Sequence, residues 1–273
     1  MNIVKNEINI GIEKPFTFLQ ITDTHLVRIG ENDASPRKEF AKSRSGLDFL
    51  DGLIFAQNYS KQTGYPIFHT GDLFDFLTPE SMEIVKKIAK ETDLTFIAGN
   101  HEQCYCPQNR FCEADYAEEL KTRDHALDAV QECFENNVCF FCKEINGVSL
   151  VGISNGDYQI TSTQLNDLKQ VASNGKPIIL FTHIPFYSEE LYAVRHDCMV
   201  GTPAEKMRDY NLWQLYEQTA SPITSEAYRY ILDTPQIKAI ISGHMHFDFE
   251  LQSSQKPVQL ISSLHTMREI TVL

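Results

Sequence analysis

Apolar and polar positions along this chain switch between two periods, and each switch marks an element. Phe16 to Thr22 is a run of β-formers that reads as a buried strand and stops at Asp23-Thr24-His25. Residues 26–43 are polar and charged, the pattern of a surface loop. Leu47, Leu50, Leu53, Ile54 and Gln57 recur at helical spacing and close near Gly64. An apolar run ending in Ile67-Phe68-His69-Thr70 predicts a strand that stops at Gly71-Asp72-Leu73-Phe74-Asp75. Thr78-Pro79 opens a helix with the stripe Met82, Val85, Ile88 and Ala89, proline standing at its first position. Leu94 to Ala98 is the next strand, ending at Gly99-Asn100-His101-Glu102, before a cysteine-rich loop and a helix striped by Leu120, Leu127, Val130 and Phe134.

In the second half, Val138 to Phe141 and Val148 to Ile153 predict a hairpin around Asn146-Gly147. Thr161 and Gln164 have the form of a capping box, opening a helix that stops at Gly175. The strand Ile178 to Phe181 ends at Thr182-His183, and a loop-and-helix region from Pro185 to about Pro222 is too long for a mere connection. A helix from Glu226 to Leu232 leads to Ile237 to Ser242, a strand ending at Gly243-His244-Met245-His246. Closing strands are expected at Phe247 to Leu251, Val258 to Ser262 and Glu269 to Val272. Strands alternating with helices early and antiparallel pieces late predict a mixed α/β sandwich.

Five of these strands end at once in a carboxylate, amide or imidazole: Asp23/His25, Asp72/Asp75, Asn100/His101, His183 and His244/His246. Any one of them reads most simply as a turn former, a helix cap or a core histidine. Five together at strand C-termini, facing the crevice where α/β sheets bind ligands, exceed what capping explains. In an extended chain, residues two apart point the same way, so Asp-x-His and His-x-His can each reach one ion. Imidazole, carboxylate and amide donors without a thiolate suit Mn²⁺, Fe, Zn²⁺, Ni²⁺ or Co²⁺ and do not choose among them.

Composition narrows the classes. The chain has 273 residues, 42% hydrophobic and 22% charged, with a net charge of -13, enough for one large domain or two modest ones. The acidic balance weighs against binding nucleic acid through a surface field and leaves room for a small anionic substrate held by local cations. The N-terminus lacks a basic stretch followed by an apolar one, and no run approaches the ~18 apolar residues of a membrane span. With seven cysteines, an odd number, reduced thiols and a cytoplasmic location without a membrane partner are expected.

In order and type, the strand-end residues resemble the calcineurin-like metallophosphoesterase superfamily, whose pattern is D-x-H, G-D-x-x-D, G-N-H-[D/E], a lone H, and G-H-x-H. All five elements are present between residues 23 and 246. The resemblance implies an α/β four-layer sandwich, two mixed β-sheets packed together and flanked by helices. It implies a single domain over 1–273, with insert loops at about 102–118 and 185–222 near the active site. It also implies a binuclear centre of Mn, Fe or Zn, in which Asp23, His25 and His246 hold one metal, Asn100, His183 and His244 hold the other, and Asp72 bridges them. In such a centre His101 is not a ligand; it serves as general acid and stabilises the phosphoryl oxygens, while Asp75 orients a catalytic histidine. The implied reaction is hydrolysis of a small phosphomonoester or phosphodiester by a metal-bridging hydroxide, without a covalent enzyme intermediate.

Departures from the pattern narrow the branch. Phe76-Leu77 stand where the Ser/Thr protein phosphatases carry Arg-Gly, and Asp75 stands where the purple acid phosphatases place a tyrosine ligand. Gly-Asp-Leu-Phe-Asp is similar to the motif of the repair nucleases, which usually carry Gly-Asn-His-Asp, whereas this chain has Glu102. A repair-type nuclease is therefore the alternative, and a non-catalytic metal-binding scaffold a more distant one. Tyr187, Tyr192, Arg195 and His196 are candidates to contact substrate from the second insert. Cys104, Cys106, Cys112, Cys139 and Cys142 are read as free thiols in preference to a structural zinc site, and His69 as a core residue beside the centre. His265, like His69, lies outside the pattern.

Overall fold

The computed structural model describes residues 1–30, 38, 39, 42, 49–103, 125–198, 220–252 and 257–273. One sheet is built from β1 (Asn2–Ile8), β2 (Phe16–Ile21), β3 (Ile67–His69), β4 (Leu94–Phe96) and β11 (Thr266–Val272), in the order β1-β11-β2-β3-β4. The other contains β5 (Phe140–Ile145), β6 (Val148–Ile153), β7 (Ile178–Thr182), β8 (Ile237–Ser242), β9 (Phe249–Leu251) and β10 (Val258–Ile261), in the order β5-β6-β7-β8-β10-β9. Both sheets are mixed. β2, β3 and β4 run parallel beside an antiparallel β11, and β6, β7, β8 and β10 run parallel between antiparallel β5 and β9.

The parallel strands are buried on both faces, which is why their sequences read as unbroken apolar runs. Between the sheets, Phe68 stacks on Phe181 at 4.6 Å, and Phe18 meets both rings edge-on at 5.3 and 5.6 Å. On the far side of the first sheet lie α1 (Leu50–Thr63), α2 (Pro79–Glu91) and a helical segment at 125–131, which bury Leu53, Val85 and Val130. On the far side of the second lie α3 (Ser162–Ser173) and α5 (Pro222–Asp233), which bury Leu165, Leu168, Tyr228 and Ile231. Each such side chain contributes roughly 1.5–3 kcal/mol through burial. The four layers of the expected sandwich are therefore present.

Local signals formed as their chemistry dictates. Thr78 accepts from the Ser81 N–H, with Pro79 in the first turn of α2. Thr161 and Gln164 make both bonds of the capping box that opens α3. Gly64 closes α1 at φ 74°, and Asn146-Gly147 turns the hairpin at φ 48° and 84°. Some boundaries differ. β1 was not expected, because a parallel edge strand against β11 buries only Ile8 and so has no apolar run. α5 begins before Glu226, capped by Ser221 with Pro222 at the first position. β11 begins at Thr266, ahead of Glu269, because Arg268 is itself buried. Leu26 and Val27, expected in a surface loop, are buried, and Leu26 pairs with Phe74.

The outer edge of β4 is closed by a side chain. Asn136 Oδ1 accepts from the Phe96 N–H at 3.2 Å and Asn136 Nδ2 donates to the Phe96 carbonyl at 2.7 Å, standing in for a neighbouring strand. Asn136→Ala leaves both backbone groups without that partner and is expected to destabilise the fold by about 2 kcal/mol in urea unfolding.

Candidate metal centre

The turns that leave the strands place the ligand-type residues. Asp23, His25, Asp72, His244 and His246 have φ of 52°, 43°, 52°, 70° and 57°. Non-glycine residues rarely adopt this left-handed region, and each costs of order 1 kcal/mol unless its surroundings enforce it. The extended-chain picture of Asp-x-His and His-x-His is therefore corrected: each pair converges through two left-handed residues, not through the alternation of a strand. Backbone bonds enforce the conformation. The turns after β2 and β3 continue pairing as Asp23 N–H to Gly71 O at 3.0 Å, His25 N–H to Asp72 O at 3.0 Å and Leu26 N–H to Leu73 O at 2.8 Å.

Two groups of donor atoms result, and each draws on both sheets. In the first, His25 Nε2 and His246 Nε2 lie 3.1 Å apart, and Asp23 Oδ1 is 3.3 Å from His246 Nε2 and 3.8 Å from His25 Nε2. In the second, Asn100 Oδ1 is 2.9 Å from His183 Nε2 and 3.1 Å from His244 Nδ1, and those nitrogens are 3.2 Å apart. Asp72 Oδ2 lies between the groups, 3.3 Å from His183 Nε2 and 3.9 Å from His25 Nε2. His101 Nε2 faces the same oxygen at 3.6 Å. Asp75 Oδ1 sits 3.1 Å from His101 Nδ1 and 3.3 Å from His25 Nδ1, and its carbonyl lies 2.9 Å from His101 Nδ1.

A further shell of contacts holds these atoms in place. His183 Nδ1 lies 2.8 Å from the Thr70 carbonyl and donates to it, which turns Nε2 toward the centre. Asp23 Oδ2 accepts from Thr22 Oγ1 at 2.7 Å and from the His244 N–H at 2.9 Å, tying the two sheets together at the ligand-type residues. That approach requires glycine at 243: a Cβ there would lie 1.9 Å from Thr22 Oγ1 and 2.4 Å from Asp23 Oδ2. Asn155 Oδ1 accepts from the His183 and Ile184 N–H groups, and Tyr158, at φ 64°, sets its ring 6.0 Å from that of His244. Asn155 stands outside the motif pattern, although Ser154-Asn155-Gly156 ends β6 with the same apolar-to-polar change as the other strand ends.

Glu102 is the other residue passed over as a site component. Fully buried, it accepts from the N–H groups of Asp72 at 2.9 Å, Gly99 at 2.7 Å and Phe74 at 3.0 Å, so one carboxylate fixes two of the turns that carry ligand-type residues. Glu102→Ala is expected to lower stability by about 3 kcal/mol in denaturant unfolding, since it leaves three buried donors unpaired.

The centre is strongly polarised. Burial pushes the Asp72 carboxyl up, but the charges of His101 and His183 overcome it and hold the group well below the usual range. Burial likewise opposes ionisation of Asp23, and the adjoining His246 imidazole with the charge of His183 reverses the sign. Burial disfavours the His183 cation, yet Asp72 outweighs it and raises the group, whereas burial and the His183 charge drive His244 down to about 3. Burial and then the Asp72 charge push Glu102 up to about 7, against its bonds from Phe74 and Gly99.

The remaining candidates fall elsewhere. His69 is buried with Nε2 3.1 Å from Thr24 Oγ1, and burial drives it down to about 3, as befits a core residue. His265 sets its ring against Phe49. The Tyr187 hydroxyl donates to Glu189 at 2.7 Å, at the start of α4 (Glu189–Cys198). Arg195 and His196 lie within α4, and their side chains, like that of Tyr192, fall outside the described residues. Cys104, Cys106 and Cys112 also lie outside them, while Cys142 is a free thiol.

The residues present fit two cations. Imidazole nitrogens that face each other at 3.1 and 3.2 Å, with a carboxylate or amide oxygen beside each pair, form a donor set that a cation satisfies. Asp23 Oδ1 is buried and accepts no hydrogen bond among the described residues, the condition of an oxygen reserved for a cation. His246 is the exposed member, so the centre opens toward solvent on its side.

No curated protein matches the sequence. Among solved structures, purple acid phosphatase PPD1 from yellow lupin (Lupinus luteus) is similar with a TM-score of 0.54 at 11% identity, over 92% of this chain and 44% of that one. A dimetal phosphatase from Danio rerio gives a TM-score of 0.49 at 13% identity, over 91% and 87% of the two chains. Phosphopantetheinyl hydrolase from Mycobacterium tuberculosis gives 0.46 at 12% identity, over 91% and 90%. Of these, the lupin likeness supports the fold. Among the described residues no helix is long and apolar enough to cross a membrane. The family model for calcineurin-like phosphoesterases matches residues 16–248, most of the chain and all of the strand ends described above: the protein belongs to the calcineurin-like phosphoesterase family, metal-dependent hydrolases of phosphoric esters.

Proposed function

We propose that this enzyme hydrolyses a small phosphomonoester or phosphodiester at a binuclear centre held by Asp23, His25, Asp72, Asn100, His183, His244 and His246. The observation that carries the reading is the position of Asp72 Oδ2, within 4 Å of nitrogens from both donor groups and of His101 Nε2. When bound, two metal ions supply charge that polarises the phosphoryl group and lowers the pKa of water. Asp72 holds the two positions at a fixed separation. His101 has Nδ1 committed to the Asp75 carbonyl, so its Nε2 faces the centre and delivers a proton to the departing ester oxygen. The Asp75 carboxylate, 3.1 Å from that ring, favours the protonated form and fixes its orientation. The chain is proposed to work as one domain, with 102–118 and 185–222 as inserts that bound the substrate and Arg195 and His196 as candidate contacts.

A small ester suits the net charge of -13 better than a polynucleotide, which a protein normally gathers through a basic surface. The test is elemental analysis of the purified protein, followed by a panel of aryl and alkyl monoesters, diesters, cyclic nucleotides and single-stranded DNA with Mn²⁺ added. Two metals per chain with turnover of small esters is the expected result. Preference for single-stranded DNA would favour the nuclease reading, and absence of both metal and turnover would overturn the proposal.

A further inference from the structure

Arg268 is among the largest fully buried side chains of the described residues, with its charge 1% exposed. A buried guanidinium is costly unless its donors are matched by acceptors. Here they start a directed chain that crosses between the sheets and ends at the metal centre. Arg268, on β11 of the first sheet, donates from Nη1 to Glu250 and to Asn6 Oδ1 at 2.7 Å, from Nη2 to the Ile261 carbonyl at 2.8 Å, and from Nε to Ser262 Oγ at 3.0 Å. Glu250 and Ile261 belong to β9 and β10 of the second sheet. Ser262 Oγ donates back across the gap to Gln20 Oε1, on β2 of the first sheet. Gln20 Nε2 then donates to Thr70 Oγ1 at 2.8 Å, and the carbonyl of that same Thr70 accepts from His183 Nδ1. Gln20, Thr70 and Ser262 are all fully buried; an arginine that can only donate fixes the donor of each bond as far as Thr70 Oγ1, and the Thr70 carbonyl, which can only accept, makes His183 Nδ1 the donor of the last.

This route matters because neither donor group belongs to one sheet. Asp23, His25, Asp72 and Asn100 follow strands of the first sheet, and His183, His244 and His246 follow strands of the second. The phenylalanines between the sheets fix their spacing, yet apolar contacts are undirected and tolerate small sliding. Directed bonds near the strand ends do not.

We propose that Arg268, Ser262 and Gln20 are positioning residues of the metal centre: together they register one sheet against the other and hold the Thr70 carbonyl under His183. The proposal rests on the reading of the site as a metal centre, and the experiment separates the two. The full chain, stripped of metal with chelator, is titrated with Mn²⁺ by calorimetry for the parent protein, Gln20→Met, Arg268→Met and the milder Ser262→Ala. Val272→Ala, in the apolar core between the sheets and away from this chain of bonds, serves as a control whose loss of Tm can be matched by temperature.

The relay variants are expected to bind at least one of the two ions about tenfold more weakly than the control at matched stability, the range that outer-shell partners of metal ligands command. The double variant Gln20→Met/Arg268→Met is expected to lose little beyond the worse single change, since one interrupted chain cannot be interrupted twice. Affinities equal to those of the control in all three single variants overturn the proposal, and a purely structural role predicts that outcome. Absence of Mn²⁺ binding to the parent protein would instead overturn the reading of the metal centre itself.

Discussion

Replacing Asp72 with alanine is expected to cost both metal ions at once and to lower kcat/KM by at least about 10³-fold. Among the described residues its Oδ2 is the one carboxylate oxygen within 4 Å of imidazoles from both donor groups, and its Oδ1 accepts the His101 N–H at 2.9 Å. The alanine variant thus removes the proposed shared ligand and releases the backbone that carries the proposed acid. Asp72→Asn separates these effects, since an amide oxygen can still accept from His101 while the negative charge is gone. Metal content by elemental analysis is the primary readout. Asp23→Ala and His183→Ala provide the contrast, each expected to loosen mainly one ion because each residue lies in a single donor group. An Asp72→Asn protein that keeps one ion at full content would show that the carboxylate is not shared.

His101→Asn is the second large effect, expected to leave both metals in place while turnover falls by about 10²–10⁴-fold. The backbone bond from residue 101 to Asp72 survives this change, so the turn is retained, but the ring nitrogen facing Asp72 Oδ2 at 3.6 Å is lost. Leaving groups sharpen the test. An alkoxide needs a proton as it departs and a nitrophenolate does not, so the loss should be far larger for alkyl than for nitrophenyl esters. Equal losses for both leaving groups, or a fall in metal content, would count against a proton donor at this position. Asp75→Asn should show the same leaving-group trend in weaker form, since the proposed role of Asp75, 3.1 Å from the ring nitrogen, is to orient the ring.

What the sequence by itself determined follows from interactions closed within a few residues. The cap at Thr78-Pro79, the box at Thr161 and Gln164, and the Asn146-Gly147 turn each depend on bonds among near neighbours, and all three are present. The apolar runs of β2, β3, β7 and β8 were legible because both faces of those strands are covered, and the polar residues that stop them stood out for the same reason. β1 was not legible, because an edge strand that buries little has no pattern of its own.

Tertiary structure decided which side chains meet. His246 lies against Asp23 and His25, more than two hundred residues away, because β8 and β2 belong to sheets whose docking is set by phenylalanines such as Phe18, Phe68 and Phe181. It also decided how the ligand-type residues converge. Five of them take left-handed backbone that no spacing rule foretells, held there by bonds between neighbouring turns. The bonds that Glu102 makes and those from Arg268 through Ser262 to Gln20 do not show in the sequence, for a single reason. A buried polar residue acquires its role from partners that are distant in sequence, and only the packed sheets bring those partners within hydrogen-bonding distance.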